Sequence, residues 1–171
     1  MLLIKEIMHK QNINIQGKSI EREAVRGVIL KHHELLMIHS TMNGDYKFPG
    51  GGINFGETHE DALIREISEE CGAVVTKIDD ELGKVIEYDI PLEDDYDVFK
   101  MTSFYYLCQV DSNFGNQLLD LYEKELGFKP VWINIDDAIS ANFKLINSNH
   151  YPRWTKRELV VLNYIKDKLK W

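Results

Sequence analysis

The chain has 171 residues and a net charge of −8, with 44% hydrophobic and 28% charged residues. That length suits one domain with room for a sizeable core, and the acidic balance argues against a hold on a nucleic-acid backbone, which needs clustered Lys and Arg. No segment approaches the roughly 18 apolar residues of a membrane span, and the apolar run inside MLLIKEIMHK is too short for a signal peptide, so a cytoplasmic chain with no membrane partner is expected.

Taken in chain order, residues 2–8 read as an extra strand or arm within an N-terminal extension spanning 1–20. Apolar, β-prone runs at 24–30 and 34–38 are joined by Lys31-His32-His33, as in a hairpin. Pro49-Gly50-Gly51-Gly52 follows, and its glycines let the backbone turn sharply and approach a ligand through amides and carbonyls. A helix over 58–71 has Thr58 and Asp61 as a capping pair, Glu60 and Asp61 where the dipole favours anions, and Gly72 just past its end. Leu63, Ile67 and Cys71 give it an apolar stripe that Ile64 widens. Strands are expected at 84–90, 98–110 and 131–135, then helices at 136–142 and 156–169. Strands on both sides of a packed helix, with helices at the end, predict an α/β/α sandwich with a central mixed sheet, as a single domain over 1–171.

The expected helix over 58–71 carries an informative charge pattern. Glu66, Glu69 and Glu70 stand at i, i+3 and i+4, so three carboxylates share one face within about a turn. Like charges at this spacing cost about 0.2–0.5 kcal/mol per pair, a penalty that a bound divalent cation reverses.

Other residues have plainer readings. Cys71 and Cys108 are isolated in patterned segments and are expected as buried thiols. His32, His33 and His59 are expected on the surface, since no Cys or His spacing suggests zinc. Arg26 and Lys47 can contact phosphate but read first as exposed strand charges. Tyr46, Phe48, Phe55 and Tyr105 can stack on a base, although core packing is the commoner fate of aromatics. Trp132 and Trp154 are expected as anchors of a strand and of a helix start.

The segment GGINFGETHEDALIREISEECGA resembles the signature of the Nudix hydrolase family (MutT-like). Gly51, Glu57, Arg65, Glu66, Ile67, Glu69, Glu70 and Gly72 fall in its register, and Phe48-Pro49-Gly50 precedes it in the family's manner. Ala73 departs, being smaller than the usual aliphatic residue, which affects packing beneath the loop and no ligand. The resemblance implies an α/β/α fold and Glu66, Glu69 and Glu70 as ligands of Mg²⁺ or Mn²⁺, with the carbonyl of Gly50 or Gly51 as a further oxygen. Arg65 would brace the loop by pairing with Glu57. The activity implied is attack by water on a diphosphate linkage in a nucleoside diphosphate derivative, with the general base in the signature helix or in a distant segment. Glu123 and Glu125, in LYEKELGFKP, are the distant candidates.

The substrate implied is a small nucleotide. A nucleoside triphosphate, including oxidised ones, leads because the chain is compact; ADP-ribose or a nucleotide sugar comes next. Relatives that hydrolyse ADP-ribose tend to carry a proline a set distance past the signature, and neither Tyr88 nor Pro91 fits that marker. A nucleotide sensor without turnover is the alternative of another class, but such members often lose signature glutamates, and all are kept here. Residues 2–8 and 156–169 offer surfaces for a homodimer.

Overall fold

Period-two alternation along the central strands sorts their side chains into two cores. In the computed structural model, which describes residues 1–148 and 150–169, the chain runs β1 (Leu3–Met8), β2 (Ser19–Lys31), β3 (Glu34–Ser40), β4 (Tyr46–Lys47), α1 (His59–Cys71), β5 (Val75–Asp89), β6 (Val98–Val110), α2 (Leu121–Glu125), β7 (Phe128–Asn134), α3 (Ile135–Ile146) and α4 (Trp154–Leu169). Asn149, Lys170 and Trp171, which the expected span of 1–171 includes, lie outside the described residues. On β3, Leu35 and Met37 point to one side and Leu36 and Ile38 to the other. The first side joins Val28, Phe48 and Tyr105 to Ile135 and Ala138 of α3 and to Val161, Leu162 and Ile165 of α4. The second joins Val25 and Ile29 to Ala62, Leu63, Ile67 and Cys71 of α1. The sheet thus lies between α1 and the α3/α4 pair, and the expected α/β/α sandwich is found.

The sheet has seven strands in the order β1-β5-β6-β2-β3-β4, with β7 pairing β3 off that path. It is mixed: β1 runs parallel to β5 and β2 parallel to β6, while β5 and β6 are antiparallel, as are β2 and β3. The β2–β3 turn places His32 and His33 at φ of 49° and 66°, so the expected hairpin closes through left-handed residues. Residues 3–8 form a sheet strand.

β5 begins at Val75, earlier than the expected 84, because three register irregularities between Val75 and Gly83 break the alternation that marks a strand. Ile64 is 41% exposed and lies outside the buried stripe of α1, which instead takes in Ala62. Cys71 and Cys108 are buried free thiols. Among the described residues, no helix is long and apolar enough to cross a membrane.

Candidate active site

α1 starts where its sequence dictates. The Thr58 hydroxyl oxygen accepts from the Asp61 N–H at 3.1 Å, and Gly72, at φ 67°, returns its N–H to the Ser68 carbonyl at 2.8 Å. The three carboxylates in the second half of this helix meet different surroundings. Glu70 is 1% exposed on the inner face, Glu66 is partly buried, and Glu69 is the most open, with 40% of its side chain exposed.

Arg65 binds the helix to the loop before it. Its Nε and Nη2 donate to the two oxygens of Glu57 at 2.7 and 2.9 Å, and Nη2 also donates to the Gly52 carbonyl at 2.9 Å. Its Nη1 donates to Glu66 at 2.7 Å and to Glu69 at 3.2 Å. This fork geometry and the Asn54 N–H hold the Glu57 carboxyl at about 2, well below its ordinary value.

The glycine loop is zipped onto β2. Gly51 accepts from the Val25 N–H at 3.0 Å, Pro49 accepts from the Gly27 N–H at 2.8 Å, and Arg26 donates to the Gly50 carbonyl. Gly50 cannot be replaced cheaply, and a side chain on Gly51 would push the Glu66 carboxylate aside. At φ 136°, a Cβ on Gly50 would stand 2.1 Å from the Val25 carbonyl oxygen, and one on Gly51 would stand 2.3 Å from a Glu66 oxygen. The backbone therefore lies directly against the Glu66 carboxylate.

A cavity of about 440 Å³ opens beside this loop, lined by Gly50, Gly51, Glu70, Arg26, Lys47 and Glu123, among others. Arg26 and Lys47, expected as exposed strand charges, are each only 8% exposed. They are buried because each has an acceptor close by: Arg26 the Gly50 carbonyl, Lys47 the Glu70 carboxylate. Of the two distant carboxylates, Glu123 caps its own short helix α2 and faces the cavity, whereas Glu125 is exposed and does not line it. Burial, with the Glu70 and Asp120 charges adding, raises the Glu123 carboxyl to about 6. Burial also raises the Glu66 carboxyl, with Glu70 adding and Arg65 opposing.

The far wall of the cavity is a chain of buried charges that sequence reasoning missed. His9 contacts Glu87 at 3.0 Å, Arg157 donates to Glu87 and to Glu158 at 2.7 Å each, and Glu158 accepts from the Phe48 N–H at 3.2 Å. Asp89 pairs with Arg153 beside them. The only sequence signal was charge inside apolar runs, as in the helix 154–169, where Arg157 and Glu158 precede Leu159 to Leu162. The aromatics divide as well. Phe48 and Tyr105 are fully buried in the core and cannot stack on a base, Phe55 is fully exposed, and Tyr46 stacks on His39. His59 is half-buried, bonded to the Tyr106 hydroxyl at 2.7 Å and tilted against Phe104, so it is not a free surface histidine. Trp154 does begin α4, and its indole N–H donates to Asp45 at 2.6 Å. Trp132 is half-buried on β7, between Phe114 and Lys31.

The residues fit a hard divalent cation. Their donors are all oxygens, and the raised Glu66 carboxyl reflects negative charge crowded into a dry place. As the side chains stand, no three acidic, His or Cys groups among the described residues converge on one point. The reason is visible: Glu70 turns to Lys47 and the Gly50 N–H, and Glu66 turns to Arg65.

Comparison with known proteins bears on the family and the fold. The chain is 40% identical over 83 residues to an RNA pyrophosphohydrolase of Sulfurovum sp. (strain NBC37-1), covering 45% of this chain and 53% of that one. It is 41% identical over 63 residues to an ADP-ribose pyrophosphatase of Methanocaldococcus jannaschii, covering 35% and 37%. Over 56 residues it is 43% identical to an 8-oxo-dGTP diphosphatase of Proteus vulgaris, covering 30% and 50%. The matches thus span about half or less of these relatives' lengths. A solved NUDIX hydrolase from Nitrosomonas europaea shares the fold with a TM-score of 0.59 at 20% identity, over 87% of this chain and 91% of that one. The family model described as the NUDIX domain matches residues 21–154, which take in the glycine loop, α1 and Glu123, and the chain belongs to the Nudix family.

Proposed function

We propose that the chain is a cytoplasmic hydrolase, dependent on Mg²⁺ or Mn²⁺, that cleaves a diphosphate linkage in a nucleoside diphosphate derivative. The observation that carries this reading is the meeting of Glu70, the glycine loop, Arg26 and Lys47 at one cavity. A cation held by Glu66, Glu69 and Glu70, with the carbonyl of Gly50 or Gly51, would neutralise phosphate charge and acidify a bound water. Arg65 and Glu57 keep the loop against α1 and touch no substrate. The names of the three relatives differ in substrate and share a pyrophosphate or diphosphate reaction, which supports the reaction class over any one substrate. A nucleoside triphosphate cleaved to monophosphate and pyrophosphate is the first choice, ADP-ribose or a nucleotide sugar the second.

The test is product analysis with Mg²⁺ across nucleoside triphosphates, ADP-ribose, nucleotide sugars, dinucleoside polyphosphates and an RNA carrying a 5′-triphosphate. Pyrophosphate release from a free triphosphate supports the first choice, and AMP from ADP-ribose the second. A folded protein that binds a nucleotide and turns over nothing is a sensor, and the hydrolase reading is then lost.

Glu123 is the general base in this reading, since of the two distant candidates, Glu123 and Glu125, it is the one that lines the cavity. A base works only when deprotonated, so activity rises with pH through its pKa. With that value at about 6 before any cation lowers it, the acid limb of kcat/KM falls no higher than about pH 6. Glu123→Gln is expected to lower kcat about 10²-fold or more and to remove this limb. A limb that survives in the variant removes Glu123 as the base.

A further inference from the structure

Lys47 sits where a cation would have to arrive. From β4 its ammonium reaches Glu70 Oε1 at 2.5 Å, while the other Glu70 oxygen accepts the Gly50 N–H at 2.8 Å. The pair is dry: the side chains are 10% and 1% exposed. Beneath the ammonium lies the ring of Phe128, 4.8 Å from its centroid, which supplies no full negative charge. A buried ammonium in such a place requires an anion, because an unpaired charge out of water is strongly unfavourable.

We propose that Lys47 is a resident counter-ion that competes with the divalent cation for Glu70 and, once displaced, moves to the diphosphate oxygens of the substrate. The inference rests on Glu70 being a cation ligand, as in the function proposed above. A cation can take Glu70 Oε1 only by displacing the ammonium. Arg65 presents no such conflict, because its fork stays fixed on Glu57 and Gly52 whether or not Glu66 leaves it. Lys47 has a flexible four-carbon stem and lines the same cavity as Arg26, Gly50 and Glu123. After displacement, the ammonium is left with the Glu123 carboxylate, which already feels its charge beside those of Glu70 and Asp120, and with an incoming phosphate. The ammonium therefore opposes the cation in the empty protein and favours the phosphate in the loaded one. Cation and diphosphate then bind with positive coupling, each relieving a cost that the other would meet alone.

The experiment is Mn²⁺ binding to the full chain, followed by electron paramagnetic resonance, with and without methylenediphosphonate as a non-hydrolysable diphosphate. Lys47→Met is expected to bind Mn²⁺ alone about tenfold more tightly than the native protein, and the enhancement by methylenediphosphonate is expected to shrink by about tenfold. Lys47→Arg, which keeps the charge, is expected to bind Mn²⁺ no more tightly than the native protein. Equal tightening in both variants would mean that altered packing is responsible, and the proposal falls. If methionine prevents folding, Lys47→Gln removes the charge with a polar side chain and carries the same expectation. A native protein that binds Mn²⁺, beside a charge-removing variant with unchanged affinity and coupling, overturns the role of Lys47 alone. A native protein that binds no Mn²⁺ overturns the cation-ligand reading and this inference with it.

Discussion

Glu69→Gln is expected to reduce kcat on the order of 10²-fold or more while leaving the melting temperature nearly unchanged. The two halves of this expectation come from one geometry. Glu69 is the most exposed of Glu66, Glu69 and Glu70, and its protein partner is Arg65 at 3.2 Å, a guanidinium that keeps Glu57, Glu66 and Gly52 when Glu69 is gone. Loss of so exposed a contact costs under about 1 kcal/mol. Glutamine has the same shape but no charge, so a cation held there loses a strong ligand while the helix loses little. Initial rates of pyrophosphate or AMP release and a thermal melt of the same sample check both halves; unchanged turnover in a folded variant removes α1 from the chemistry.

The largest stability effect is expected at Arg157. It is 4% exposed and stands between Glu158, fully buried, and Glu87. Arg157→Met leaves both carboxylates buried without their cation, at a cost of about 3–5 kcal/mol. For a chain of this size that lowers the melting temperature by about 10 °C, which differential scanning calorimetry reads directly. A fall of only a degree or two would mean that water reaches the cluster. The same cluster sets a pH dependence. Burial alone would raise the Glu87 carboxyl, but the charge of Arg157 and the contact with His9 outweigh it and hold it at about 2, against an ordinary 4.5. A depressed carboxyl stabilises the fold above its unfolded value, so this contribution is complete above about pH 4.5 and is lost as pH falls towards 2.

The features legible in the sequence were those with local causes. The α1 boundaries follow from Thr58, Asp61 and Gly72, whose side-chain and backbone bonds close within four residues. Strand β6 was legible along its whole length because its apolar run is unbroken by bulges. The start of β5 was not, since its irregular register hides the alternation. Arg26 and Lys47 were misjudged because a charge on a strand is ordinarily solvated, and their acceptors lie on the glycine loop and on α1, far along the chain. The His9–Glu87–Arg157–Glu158 chain was invisible for the same reason at longer range, as it joins β5 and α4 to the residue just after β1.

That chain of charges divides the labour of the cavity between two kinds of segment. The glycine loop, α1 and Glu123 fall inside the segment of family likeness, residues 21–154, whereas His9, Arg157 and Glu158 fall outside it. Glu87, Asp89 and Arg153 of the opposite wall fall inside it too, so that wall is assembled from both kinds of segment. An exchange of the flanking elements with a relative has to carry residues 1–9 and α4 as a pair, with Glu87 retained, because His9, Glu87, Arg157 and Glu158 satisfy one another only together.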